Sequence, residues 1–293
     1  MPEKIVLSTD SSSDLLKGRM DELNVSCIPL TYTVNGETFN GVFSSEDEYT
    51  AFYDGIRAGN MPTTSLINET LYREYFTGLI AGGATDIIHL SLSSGLSGSF
   101  ANAAAAAESV SETFPDVKIR LVDSLGATQA QRIFLDEGVK LRDSGLSGEE
   151  IAEGMKNAVS QTQVYIAVDD LFHLKRGGRI SGAAALIGSA LNVKPILILD
   201  DQGRLEVAGR VMGSKKALRF MLDHMRKNAI DPSGQTVYIA HADCLGYALE
   251  LKEMLIEEFG CKVVVDWIGP VIGAHTGPGT LGLIYRGNAR LHK

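Results

Sequence analysis

The stretch Asp86–Phe114, DIIHLSLSSGLSGSFANAAAAAESVSETF, narrows the choice of fold more than any other part of the chain. Ile87–Leu92 has the length and apolar character of a buried strand. Phe100, Ala103, Ala104, Ala107, Val110 and Phe114 then recur at helical spacing and mark one face of a helix. Between the two lies Ser93-Ser94-Gly95-Leu96-Ser97-Gly98-Ser99, with four hydroxyls and two glycines at a strand-to-helix junction. A helix N-terminus presents free N–H groups and a partial positive charge, so it attracts anions. Glycine lets a ligand come close to the backbone. Serine hydroxyls donate to an oxyanion without adding a counter-charge. The turn therefore suits a carboxylate or phosphate. It equally suits plain helix capping by Ser97 or Ser99, and the rest of the chain has to decide between the two.

The first half repeats the strand-then-helix pattern. Lys4–Thr9 reads as a strand ending in Asp10-Ser11, and Val117–Val122 as one ending in Asp123-Ser124. Val25–Val34 reads as a second strand, followed by the hairpin signal Asn35-Gly36. Capping boxes at Ser45–Glu48 and Ser147–Glu150 open helices, and another helix is expected over Glu69–Ala81. Gly59–Ser65, GNMPTTS, is expected as a loop. In an open parallel sheet, ligands sit beyond the carboxyl ends of strands. The polar ends at Asp10-Ser11, Ser93-Ser94 and Asp123-Ser124, together with Thr63-Thr64-Ser65, point to such a site.

In the second half, strands Gln163–Val168 and Val193–Leu199 precede an Asp200–Gly203 turn and a returning strand Leu205–Val211, which implies antiparallel pairing. Helices over Ser214–Asn228 and Gly246–Glu258 alternate with strands Val237–Ala240 and Lys262–Trp267. The expected fold is α/β in two domains. Residues 1–160 carry a mainly parallel sheet flanked by helices, and residues 161–293 a mixed or antiparallel sheet, with a ligand between them.

Composition excludes several classes. A net charge of −9 argues against a nucleic-acid partner, which needs a basic surface. No apolar run reaches the roughly 18 residues of a membrane span, so no stable membrane insertion is expected. Cys27, Cys244 and Cys261 show no CxxC spacing, in keeping with reduced thiols in a cytoplasm. The histidines form no HxxxH or HExxH pattern, and Asp169-Asp170 brings no matching ligands, so no metal is expected. Gly277-Pro278-Gly279-Thr280-Leu281-Gly282 spells GxGxxG, but its proline and its place in the chain disqualify it as a dinucleotide fingerprint.

His275, just before those glycines, is more informative: in a glycine-rich loop it is no ordinary helix-face core residue, and it would favour a bound anion if protonated. Ser97 as nucleophile with His275 as base would make a serine-dependent esterase or acyltransferase, although the surrounding GLSGS is no G-x-S-x-G elbow. Lys175, Arg176 and Arg179 form a basic cluster around Gly177-Gly178, and Arg204 and Arg210 follow on the later hairpin. Such a cluster is either a solvated helix end or a surface for phosphates or an acidic partner.

Six motifs in order resemble one family: VLSTDSSSDL near the start, PTTSLIN at Pro62, SLSSGLSGSFANA at Ser91, VDSLGATQ at Val122, LKRGGRI at Leu174 and GPVIGAHTGPGTLG at Gly269. Together they are similar to the DegV proteins, the fatty-acid-binding subunits of bacterial fatty acid kinase, over essentially the whole chain. The resemblance implies a carrier rather than an enzyme, with no cofactor. Its ligand would be a long-chain fatty acid such as palmitate or oleate, buried between two α/β domains. A separate kinase would phosphorylate the bound carboxylate for phospholipid synthesis. The resemblance places the carboxyl group at Thr64 and Ser65 of the TS loop, at Ser93, Ser94, Ser97 and the Gly98 N–H of the turn, and at His275. It places the kinase-facing surface at Arg176, with Arg204 or Arg210. Where members of the family often carry Thr-Ser-Gln-Pro, this chain has Thr64-Ser65-Leu66-Ile67, which alters the loop beside the acyl pocket. Ile187, Leu191, Ile196, Ile268, Val271 and Ile272 are candidates for the tunnel wall, each equally suited to ordinary packing.

Overall fold

The computed structural model describes residues 4–169, 171–180, 192–288 and 290. In chain order its elements are β1 (Ile5–Asp10), a 3-10 turn (Ser11–Ser13), α1 (Lys17–Leu23), β2 (Val25–Ile28), β3 (Thr31–Val34), β4 (Glu37–Asn40), α2 (Glu46–Arg57) and β5 (Thr63–Ser65). Next come α3 (Glu69–Ala81), β6 (Asp86–Ser91), α4 (Ser99–Thr113), β7 (Lys118–Asp123), α5 (Gln129–Asp143), α6 (Gly148–Ser160), β8 (Thr162–Ala167) and α7 (Phe172–Arg176). The chain continues through β9 (Val193–Leu199), β10 (Leu205–Met212), α8 (Ser214–Asn228), β11 (Thr236–His241), α9 (Leu245–Phe259), β12 (Lys262–Trp267), α10 (Pro270–Thr276) and β13 (Leu281–Arg286).

The first sheet has the order β2-β1-β6-β7, and all of its pairs are parallel. Every residue of β6 is buried, as expected for a strand covered on both faces. Successive side chains point to opposite faces. Ile87 packs with Tyr72, Phe76 and Ala103 of α3 and α4, whereas Ile88 and Leu90 pack with Phe134, Ile151 and Met155 of α5 and α6. The second sheet, β10-β9-β8-β13-β11-β12, is antiparallel except for β11–β12. One face buries Met221, Leu222, Leu251 and Leu255 of α8 and α9. The other contributes Val164, Ala240 and Ile284 to the cluster that contains α5 and α6. The layers therefore run helices, parallel sheet, helices, mixed sheet, helices.

A third, three-stranded sheet, β4-β3-β5, forms an arm with α2. Asn35 and Gly36, at φ 52° and 84°, make the tight turn between β3 and β4. Tyr49 and Tyr53 of α2 stack on Trp267 at the end of β12, so the arm grips the second half of the molecule.

The structure corrects four local expectations. Val25–Val34 is not one strand: it breaks at Pro29, which has no N–H for a ladder, and β2 and β3 join different sheets. The GNMPTTS loop contains β5, which pairs with β3 through Tyr32 and Thr64. On α4, Ala106 is buried and Ala104 faces solvent, because the helix settles between α3 and the sheet on the Ala103–Ala106–Ala107–Val110 face. His275 lies on the short helix α10 rather than in an open loop. Asp170, Ile187 and Leu191 lie outside the described residues.

Candidate ligand-binding site

The carboxyl ends of β1, β6 and β7 do meet: Asp123 and Ser124 at the end of β7 bond Ser94 and Ser91, and the Asp10 carboxylate ties β1 to β6. Asp10 accepts from the backbone N–H of Leu92 at 2.6 Å and of Ser12 at 3.0 Å, and from the Ser12 hydroxyl. Burial pushes its pKa up, against those hydrogen bonds. Ser11 accepts from the Leu30 N–H at 3.0 Å. These groups are fully committed inside the protein and build a floor rather than a binding surface.

Above that floor is a cleft of about 490 Å³, a volume that includes the space open to solvent at its mouth. Leu30, Leu92, Leu96, Leu174, Leu205, Val271 and Ile272 give it an apolar interior. Thr64, Ser65, Ser97, Arg179, His275 and Thr276 supply its polar groups, and no Asp or Glu is among its described lining residues. Six separate segments converge here: the β2–β3 connection, β5, the β6–α4 turn, the α7 region, β10 and α10.

Thr64 Oγ1 and His275 Nε2 share a hydrogen bond of 2.7 Å. Burial first, then the charges of Arg179 and Arg176, push His275 down to about 4, so its ring is neutral at pH 7. Its Nδ1 is buried with no hydrogen-bond partner, and Gly177 leaves it room, since a Cβ there would strike the ring. Arg179 donates to the Leu96 carbonyl at 3.3 Å and to Gly177 O. Ser97 Oγ donates to Ser99 Oγ at 3.0 Å and accepts from the Ser99 N–H at 3.2 Å, so it also helps to start α4. The result is a neutral hydrogen-bonding edge under two nearby guanidinium charges, facing an apolar chamber. That combination suits an anionic head with an apolar tail.

Of the expected site residues, Thr64, Ser65, Ser97 and His275 come together at this cleft. Ser93, Ser94 and Gly98 do not line it. Ser93 is fully buried and donates to Gly203 O at 2.8 Å, because the β6–α4 turn has to be braced against the β9–β10 hairpin. Ser94 is exposed, and its N–H goes to Asp123 Oδ1 at 3.1 Å. Gly98 is exposed, within van der Waals reach of the Leu66 side chain. Val271 and Ile272 do line the cleft, whereas Ile196 and Ile268 belong to core clusters.

Arg176, the last residue of α7, is exposed, yet its Nη2 donates to Pro62 O at 3.1 Å and Ala274 O at 3.2 Å. It ties β5 to α10 rather than capping its own helix. Arg204 and Arg210 are exposed on the hairpin. Arg179, which the sequence offered only as part of a basic cluster, is the guanidinium that lines the cleft.

A nucleophile–base pair is not formed, since His275 bonds Thr64 rather than Ser97 and no carboxylate orients its Nδ1. The Gly277–Gly282 run is the turn from α10 into β13, packed against His173 and Asp169. Among the described residues, no group of three or more His, Cys, Asp or Glu side chains gathers as for a metal ion, and no helix is long and apolar enough to cross a membrane.

The sequence model of the DegV family matches residues 4–288. The chain belongs to the DegV family. A DegV domain-containing protein of Clostridium perfringens is 36% identical over 289 residues, covering 98% of this chain and 99% of that one. Among solved structures, a DegV family protein from Thermus thermophilus, described by its fatty acid binding, superposes with a TM-score of 0.83 at 29% identity, covering 97% of this chain and 99% of that one. DegV of Bacillus subtilis, described as a fatty acid binding protein, gives 0.83 at 28% identity, with 98% and 100% covered. The parallel and mixed sheets of this DegV chain thus follow the family architecture.

Proposed function

We propose that this DegV chain binds a long-chain fatty acid and presents its carboxylate to a separate fatty acid kinase in the cytoplasm, for acyl-phosphate formation that feeds phospholipid synthesis. The observation that carries the reading is the Thr64–His275 hydrogen bond at the polar end of an apolar cleft, with Ser97 and Arg179 beside it. The carboxylate takes a hydrogen bond from the Thr64 hydroxyl, which accepts the Nε2–H of neutral His275, and another from Ser97 once its hydroxyl turns away from Ser99, under the field of Arg179 and Arg176. The tail lies along Leu30, Leu92, Leu205, Val271 and Ile272. Each buried CH2 contributes about 0.8 kcal/mol, so the tail dominates affinity and the polar edge selects the head group. Polar contacts come from Thr64 and Ser97 on one side and from Arg179 and His275 on the other. This supports a ligand held between two α/β units, residues 1–160 and 161–293. The fatty-acid-binding relatives from Thermus thermophilus and Bacillus subtilis support the same ligand class. Kinase partnership rests on the sequence resemblance, and the exposed Arg176, Arg204 and Arg210 are the proposed contact surface.

The test is direct. Protein purified from a bacterial host is denatured, extracted and analysed by mass spectrometry, and stripped protein is offered oleate and palmitate. The expected result is about one acyl chain per protein, or saturable uptake. Neither co-purifying lipid nor uptake would overturn the reading.

A further inference from the structure

Ser93 fixes the shape of the β6–α4 turn. Its carbonyl accepts the N–H groups of Leu96 at 3.0 Å and Ser97 at 3.1 Å, and its hydroxyl accepts from the Gly95 N–H at 3.1 Å. The turn is tied down at two other points. The Ser93 N–H donates to Gly126 O at 3.0 Å, in the loop between β7 and α5. The Ser93 hydroxyl donates to Gly203 O, at the tip of the β9–β10 hairpin. The fit is close: a Cβ on Gly203 would strike Ser93 Oγ and Leu125, and one on Gly95 would strike the carbonyls of Gln202 and Gly203. The orientation of Ser97 therefore depends on where two distant segments, 125–126 and 200–203, are held.

One side chain holds both. Arg290 is only 8% exposed. Its Nη1 donates to Leu125 O at 2.7 Å and to Asp200 O at 3.3 Å, and its Nε donates to Thr162 O at 2.8 Å at the start of β8. Asp200 O in turn accepts the Gly203 N–H at 3.1 Å. Leu125 has φ 43°, a left-handed conformation that a non-glycine residue adopts at a cost. Its carbonyl makes the shorter of the two Nη1 contacts. Burial pushes the Arg290 pKa down to about 10, while the charges of Asp200, Asp123 and Asp201 act the other way, so the fork stays charged at pH 7. A planar guanidinium spans separate carbonyls in a way that a lysine ammonium does not.

We propose that Arg290, which does not line the cleft, is a positioning residue for head-group recognition: by bridging Leu125 O and Asp200 O it holds both anchors of Ser93 and so sets Ser97 toward the carboxylate. The inference rests on the fatty-acid reading above. Its signature is selective. Losing the bridge disturbs the polar end and leaves the tail chamber intact.

The test compares oleate with oleyl alcohol, which has the same tail without a carboxylate, on the parent protein, Arg290→Met and Arg290→Lys. Melting temperatures are measured alongside, and Met155→Ala in α6 serves as a destabilised control. Arg290→Met is expected to weaken oleate binding about tenfold, the scale of one hydrogen bond to a charged group, with oleyl alcohol nearly unchanged. Arg290→Lys is expected to fall between Met and the parent, and Met155→Ala to keep the parent's oleate-to-alcohol ratio. An unchanged ratio in Arg290→Met overturns the proposal, as does an equal loss for both ligands. If Arg290→Met does not fold, the ratio in Arg290→Lys decides. A parent that binds neither ligand overturns the fatty-acid reading itself.

Discussion

Thr64 and His275 share one hydrogen bond, so removing either leaves the other short of a partner at a half-buried site. Thr64→Val, Ser97→Ala and His275→Ala are each expected to weaken oleate binding by about 1.5–3 kcal/mol with folding retained. Titration calorimetry on the single and double variants should show that Thr64→Val and His275→Ala together cost less than their sum, the mark of a coupled pair. Additive losses would place the two groups on independent tasks. His89 makes a different prediction. It is fully buried, its Nδ1 is 2.8 Å from Ser8 Oγ, and burial pushes its pKa from 6.5 to about 3. The unfolded chain therefore binds the proton first, and stability is lost as pH falls from about 6.5 toward 3. The full shift corresponds to roughly 5 kcal/mol. Asp10 and Asp14, whose pKa values are raised by burial, act in the opposite sense, their stabilisation present at low pH and lost as pH rises. The His89 contribution thus shows in a difference: His89→Gln should lose less stability than the parent between pH 7 and pH 4 in urea melts. Equal losses would mean that the His89 ring is solvated.

Among the elements, α10 is packed closely against the arm. A Cβ on Gly273 would strike the Tyr53 hydroxyl and Phe52, and the Tyr53 hydroxyl itself donates to Ile268 O at 2.7 Å. Gly273→Ala is expected to cost about 1–3 kcal/mol by overpacking and to shift His275 enough to weaken oleate binding. Adding Tyr53→Phe should restore part of the melting temperature, and no recovery would put the clash elsewhere. The same packing explains why α10 was hard to foresee. Its glycines and the following GPG signal a loop, and although Pro270 stands at the helix start, where proline is favoured, contacts with distant residues hold the rest of Pro270–Thr276 in place. The three-residue β5 has no local signal for a similar reason, since its partners Thr31–Thr33 lie far back in the chain. By contrast, α3 and β9 have the boundaries that periodicity predicts, because their signals are local. The site divides along the same line. Thr64, Ser97 and His275 were legible as residue types in polar turns. Whether a serine hydroxyl faces ligand or backbone depends on its neighbour, and Ser93 has Gly203.

Across the whole molecule, Arg176 joins the arm to α10 through Pro62 O and Ala274 O while remaining exposed. Arg176→Ala is therefore expected to lower the melting temperature modestly, to keep lipid binding, and to impair kinase-dependent acyl-phosphate formation beyond what the stability loss explains. A coupled phosphorylation assay run beside a thermal melt separates the two effects, and normal turnover would leave Arg176 a purely internal tie. The order of the second sheet has a consequence for synthesis. β13 sits between β8 and β11, strands that leave the ribosome well before it. Until Leu281–Arg286 emerges, each of those strands offers an open apolar edge, the kind of surface that invites mispairing with other chains. The parallel sheet has no such debt, because all four of its strands lie within the first 123 residues. A nascent chain would settle its first half early and keep its second half in need of protection until Leu281–Arg286 has been made and has paired.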